Sequence, residues 1–280
     1  MPSILLVTTD SIAISKIEQL EVSKQFRTRI VSNAQSAKEW LNLESFDVIL
    51  VDSYSNNSDY NNQNAIEIAT LGWRFNQFMT CVFFNIYGPV ANEWQARLIG
   101  THIASGATSL ETISKILTLV PQSTKETKEK QVMLVEDLDS PRFIISSYID
   151  ALGYGKVEAL NSAHKALEML NSDVKRFFCI VTDINMPEIS GIELIEKVRA
   201  NPKLKHLPIV VLTSYATVDN LIDCVRAGAS GFLVKPPKKG TLRQELDKAL
   251  RIMATGQSPR LCKPEDAHLL QDALTDLTLI

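Results

Sequence analysis

Cys179-Ile180-Val181-Thr182-Asp183-Ile184-Asn185-Met186-Pro187 is the stretch on which the fold turns. Four apolar or β-branched residues, too few for a helix, run into an aspartate and then a proline-bearing loop, the pattern of a buried strand and the turn that leaves it. Ser190-Gly191-Ile192-Glu193 follows with the spacing of a capping box, and Ile192, Ile195 and Val198 continue on one helical face. Outward from this unit the same alternation recurs. Strand-like runs occupy 132–135, 157–160, 209–212 and 231–234. Between them, Ile144, Ile145, Tyr148, Ile149 and Leu152 follow Ser140-Pro141, read as an N-cap with a first-turn proline. Val218, Leu221, Ile222 and Val225 mark a helix stopped by Gly228, and Leu242, Leu246, Ala249, Leu250 and Met253 mark the last one. Strand and helix alternating five times specify a parallel sheet, and uniformly apolar strands specify one covered on both faces.

The first half repeats the pattern less cleanly. Ile4–Val7, Val48–Asp52 and Cys81–Asn85 correspond to Val132–Val135, Cys179–Asp183 and Ile209–Thr213. The expected fold class is therefore α/β, with two tandem (βα)5 doubly wound, flavodoxin-like domains, each built on a parallel five-stranded sheet. The expected boundaries are a first domain at 1–121, a polar linker at 122–130, a second domain at 131–255 and a tail at 256–280 carrying a short helix.

Composition narrows the classes. The 280 residues are 45% apolar and 22% charged, with a net charge of −3, so there is core to bury and no basic footprint for nucleic acid or an anionic membrane. No apolar run approaches the roughly 20 residues that span a bilayer, and the start, Met-Pro-Ser-Ile-Leu-Leu-Val, lacks the flanks of a signal peptide. The four cysteines form no CxxC pair and the four histidines no metal-binding spacing. Reduced buried thiols and a cytoplasmic location are expected.

Ligands of open parallel sheets bind beyond the carboxyl ends of the strands. Glu136-Asp137, Asp183, Thr213 and Lys235 fall at those ends. One acid at a strand end is more often a turn former or helix cap, but five such residues of complementary types converge on one edge. Three carboxylates held together repel unless a cation lies among them, and hard oxygen donors favour Mg2+. A lysine and a hydroxyl beside that cation complete a place for a transferred phosphoryl group, with a carboxylate as nucleophile.

On Glu136-Asp137, Asp183-Ile184-Asn185-Met186-Pro187 with Gly191, Thr213-Ser214, Ala227-Gly228-Ala229 and Gly231-Phe232-Leu233-Val234-Lys235-Pro236, the second half resembles the receiver domains of two-component response regulators, of the chemotaxis-regulator kind. The spacings agree too: 46 positions from Asp137 to Asp183, 30 on to Thr213 and 22 on to Lys235. The resemblance implies that Asp183 accepts phosphate from a phosphohistidine of a sensor histidine kinase or histidine phosphotransfer protein. It implies Mg2+ held by Glu136, Asp137, Asp183 and the backbone carbonyl of Asn185, and phosphoryl oxygens met by Thr213 and Lys235. It further implies a cis Lys235-Pro236 bond, a switch through Thr213 and Phe232, and rate tuning at Asn185 and Tyr215. Phe232 reads equally well as plain core packing. The protein so described is a signalling module and catalyses only its own phosphorylation and dephosphorylation.

Aligned on this site, the first half has Thr8-Thr9 for the acidic pair, Asp52 at the acceptor position, Asn85 for the threonine and Ala107, by count, for the lysine. It is expected to be a pseudo-receiver that takes no phosphate, with Asp52 as a turn residue or helix cap. The tail leaves no room for a helix-turn-helix output domain; Leu269, Leu270, Ala273, Leu274 and Leu277 form one helical face. That helix packs on its own domain, the favoured reading, or on a partner, which could be a second copy in a homodimer. Two functions follow from the whole: a phosphorylation-controlled switch for an unidentified downstream protein, or a phosphate sink or relay intermediate with no binding output.

Overall fold

In a computed structural model, residues 1–53, 62–76, 78–90, 93–120, 130–214 and 217–261 are described. The chain divides into two units, Met1–Thr124 and Lys125–Ile280, each with its own sheet.

In the first unit the strands are β1 (Ser3–Val7), β2 (Arg27–Val31), β3 (Val48–Asp52), β4 (Thr80–Asn85) and β5 (His102–Ser105). The helices are α1 (Ser11–Glu18), α2 (Ala34–Leu43), α3 (Asn62–Phe75), α4 (Glu93–Leu98) and α5 (Ser109–Leu119). All pairings are parallel, in the order β2-β1-β3-β4-β5. The pleat explains the wholly apolar strands. Leu5, Val7, Ile49 and Val51 pack with Ala37, Leu41 and Ile68 of α2 and α3, while Ile4, Leu6, Val48 and Leu50 pack with Ile17 and Ile113 of α1 and α5. Each such buried aliphatic side chain contributes about 1.5–3 kcal/mol.

The second unit repeats the plan with β6 (Gln131–Val135), α6 (Asp139–Leu152), β7 (Val157–Leu160), α7 (Ala163–Ser172) and β8 (Phe177–Asp183). It continues with α8 (Gly191–Ala200), β9 (Ile209–Thr213), α9 (Val218–Ala227), β10 (Gly231–Val234) and α10 (Lys239–Thr255). The parallel order is β7-β6-β8-β9-β10, the same 2-1-3-4-5 arrangement. The switch in strand direction of travel, between β6 and β8, puts the ends of those two strands side by side. Both sheets are therefore the expected flavodoxin-like folds.

Local signals held at most helix ends. Ser190 and Glu193 form the capping box of α8, and Gly228 and Gly256, both with positive φ, close α9 and α10. The start of α6 differs from expectation. Leu138 occupies the N-cap with no side-chain hydrogen bond, so Ser140 and Pro141 are the second and third helical residues. Proline is tolerated there because that N–H has no partner within the helix. Ile144, expected on the buried face, is 44% exposed, and Ile145 and Ile149 carry the packing.

After Gly256 the chain returns along its own unit: Leu261 is buried and its N–H donates to Ala229 O at 3.2 Å, while Ser230 Oγ donates to Pro259 O. The expected tail helix lies outside the described residues, as does the linker apart from Lys130.

Candidate phosphoacceptor site

β8 carries Asp183 to the carboxyl edge of the second sheet, where its side chain is 5% exposed and Oδ1 accepts the Ile184 N–H at 2.8 Å. The loop that follows folds back: the Gly191 N–H donates to Ile184 O at 2.8 Å, and Glu188 takes φ 65°. A Cβ on Gly191 would stand 2.0 Å from the Asp183 carbonyl oxygen, so only glycine allows α8 to start against the acceptor. Glu136 follows β6 with its N–H on Leu160 O at 3.0 Å, extending the ladder and driving the side chain into full burial. On the other side, the Lys235 N–H donates to Thr213 O at 2.9 Å, so β10 delivers the lysine next to buried Thr213. The Lys235-Pro236 bond is cis.

These strand ends meet. Lys235 Nζ lies 2.6 Å from Glu136 Oε2 and 2.8 Å from Asp183 Oδ1. One carboxylate oxygen each from Glu136, Asp137 and Asp183 fall within 4.8 Å of one another. Burial raises the pKa of Glu136, and the Lys235 ammonium offsets this only in part. Oε1 of Glu136 and Oδ1 of Asp137 are shut off from water with no hydrogen-bond partner. Two orphaned anionic oxygens facing a third carboxylate fit a hard divalent cation such as Mg2+, which would satisfy all three.

The remaining expected residues are placed less tightly. Asn185 is exposed beside the acceptor, and Phe232 is half-buried on β10, paired with Val211, outside the main core. Tyr215 lies outside the described residues. One residue escaped the sequence reading. Arg142, in the first turns of α6, donates from Nη1 to the carbonyls of Glu136 at 2.8 Å and Asp137 at 3.0 Å. Its only sequence signal is a cation six positions after Glu136, where a helical side chain points back toward the N-terminus.

The same edge of the first sheet is built differently. Thr8 Oγ1 donates to Asp52 Oδ2 at 2.6 Å and accepts the Asp10 N–H at 3.0 Å. Tyr87 Oη donates to Asp10 Oδ2 at 2.7 Å. Asn85 Oδ1 accepts the Tyr87 N–H at 2.9 Å, and Nδ2 donates to Pro89 O at 2.9 Å. Asp52 is the last residue of β3, not a turn residue or a cap. Ala107 also proves one position off. Asn85 pairs with Ser105 as Thr213 pairs with Val234, so Gly106 stands where Lys235 stands. Counting along the chain missed this because the β4–β5 connection is one residue shorter than the β9–β10 connection.

Comparison with known proteins agrees with this geometry. Residues 132–247 match the response regulator receiver domain. Chemotaxis protein CheY-3 of Vibrio cholerae is 35% identical over 121 residues, 43% of this chain and 92% of that protein. Chemotaxis protein CheY of Pseudomonas aeruginosa is 36% identical over 118 residues, 42% of this chain and 94% of that one. The solved structure of CheY4 from Vibrio cholerae is 32% identical, covers 43% of this chain and 98% of that one, and superposes with a TM-score of 0.40. The chain belongs to the response regulator receiver family, and its second unit is homologous to CheY-type regulators of two-component systems. Among the described residues no helix is long and apolar enough to cross a membrane.

Proposed function

We propose that residues 131–255 form a phosphoacceptor receiver in which Asp183 takes a phosphoryl group from a phosphohistidine of a sensor histidine kinase or a histidine phosphotransfer protein. Its charging changes the affinity of this cytoplasmic chain for a downstream protein. The observation that carries the reading is Lys235 Nζ set between Glu136 and Asp183 at 2.6 and 2.8 Å. A cation among acids at one sheet edge is what transfer of an anionic group to a carboxylate requires.

Glu136, Asp137 and Asp183, with the backbone carbonyl of Asn185, would hold Mg2+, which when bound supplies neutralising charge for the phosphoryl oxygens. The Ile184 N–H and Lys235 both hold Oδ1 of Asp183, leaving Oδ2 as the attacking oxygen. A P–O bond forms as the P–N bond breaks, and the imidazole nitrogen keeps the electron pair. Lys235 then turns from Asp183 to a phosphoryl oxygen, and Thr213 donates to another. Half-buried Phe232, two strand positions before Val234, follows the threonine and reshapes the outer face of β10. The chain acts on no separate substrate; it catalyses only its own charging and discharge. The first unit, residues 1–121, has neither the acidic pair nor the lysine and takes no phosphate; binding a partner is the task left to it.

Incubating wild type and Asp183→Ala with Mg2+ and acetyl phosphate, read by intact mass and size-exclusion chromatography, tests this. Modification of wild type alone, with a change of size or shape, is the expected result. Modification without such a change points to a phosphate sink or relay, and failure of wild type to react removes the phosphoacceptor reading.

A further inference from the structure

The Arg142 guanidinium holds the two carbonyls that belong to Glu136 and Asp137, the residues whose carboxylates form the acidic cluster. Its Nη2 pairs with Asp139, but that carboxylate is 92% exposed while the arginine side chain is 18% exposed. Such an exposed pair adds little, so the bonds that matter are the two charge-assisted ones to the carbonyls. Two successive peptide planes are pinned by one rigid fork. We propose that Arg142 is a positioning residue for the cation site: it sets the directions in which the Glu136 and Asp137 side chains leave the backbone, and brings positive charge to the cluster without occupying it. This rests on the reading that the site holds Mg2+.

A second observation inside the same chain separates this role from simple helix initiation. Ile14 stands six residues after Thr8, as Arg142 stands six after Glu136. In the first unit, α1 is started by the Asp10 carboxylate, which accepts the Ile12 N–H at 2.8 Å. The corresponding residue in the second unit is Leu138, which makes no side-chain cap. Starting the helix needs only the aspartate arrangement. The arginine is found where the acidic pair is found and is missing where threonines replace it.

Isothermal titration of Mg2+ into the full chain tests the proposal with wild type, Arg142→Gln, Arg142→Lys and Asp139→Ala. Groups that orient metal ligands typically account for 10–100-fold in affinity, so Arg142→Gln is expected to bind Mg2+ about tenfold or more weakly. In acetyl phosphate labelling, its half-saturating Mg2+ concentration rises with little change in the rate at saturation. Arg142→Lys recovers part of the loss, since an ammonium reaches one carbonyl where the fork reaches two, and Asp139→Ala stays within about twofold of wild type. If Arg142→Gln does not fold, as judged by circular dichroism, Arg142→Lys alone gives the reading, with a severalfold loss expected. Affinities of both arginine variants within twofold of wild type overturn the proposal and leave the site reading intact. Absence of Mg2+ binding by wild type overturns the site reading, and this proposal with it.

Discussion

At the same corner of the same fold, β3 and β8 each end on an aspartate that is 5% exposed, yet the two live in different company. Asp183 faces a lysine ammonium and two further carboxylates whose oxygens lack donors. Asp52 accepts a threonine hydroxyl, and the neighbouring Asp10 is engaged by Tyr87 and its own helix start. Burial opposes the charge on Asp10, but those hydrogen bonds prevail and its pKa is lowered. Burial alone is thus no measure of reactivity. The second corner holds unsatisfied anionic oxygens around a movable cation and is poised for a ligand, while the first has closed its hydrogen bonds internally and is finished as a structure.

That contrast can be broken most sharply by chemistry. Asp183→Asn should lower acetyl phosphate labelling by about a hundredfold or more, whereas Asp52→Asn should leave it at the wild-type level. Wild-type labelling of Asp52 in the Asp183→Asn protein would erase the distinction between the corners.

Stability gives a second handle, because Trp40, Trp73 and Trp94 are the three tryptophans of the chain and all lie in the first unit. Gly191→Ala forces a methyl against the Asp183 carbonyl and should cost the second unit about 3 kcal/mol. Urea unfolding followed by far-UV circular dichroism should show that loss, with the tryptophan fluorescence midpoint unmoved. A shift in both signals would mean that the units do not unfold separately.

The third handle is pH. Burial, reinforced by the nearby Arg97 charge, depresses His102 at the start of β5 from 6.5 to about 4. The unfolded chain therefore binds a proton that the folded unit refuses. The stability contributed by neutral His102 is complete above pH 6.5 and is lost as pH falls from there toward 4. By linkage the first unit should lose about 2 kcal/mol between pH 7.5 and pH 5, and His102→Gln should flatten that loss in tryptophan-monitored urea titrations. The smallest effect expected is at Thr8. Thr8→Val removes one hydrogen bond from buried Asp52 and should cost the first unit about 1 kcal/mol in the same assay.

Much of this was legible before any coordinates. Strand ends are local features: an apolar run stops, an acid or lysine follows, and a parallel sheet gathers every such end on one edge. Asp183, Glu136, Thr213 and Lys235 were therefore placed together from spacing and alternation. Gly191 was visible as part of the motif, but its necessity was not, because the carbonyl it must clear arrives from β8 and not from its own helix. Arg142 was missed for a related reason. Its partners are backbone oxygens, and a side chain reaching for carbonyls leaves no mark in residue type.

The amino-acid sequence by itself determined the alternation of elements, the doubling of the unit and which residues end each strand, since these depend on local propensity and on a hydrophobic period short enough to read along the chain. Only the tertiary structure decided which group each strand-end residue meets. The hydrogen-bonded register of β4 with β5 puts Gly106, and not Ala107, at the lysine position. The approach of β10 to β9 and β8 lets one ammonium touch two carboxylates. Such contacts join residues far apart in the chain, and their existence turns on offsets of a single residue and distances of an ångström, which covalent order does not encode.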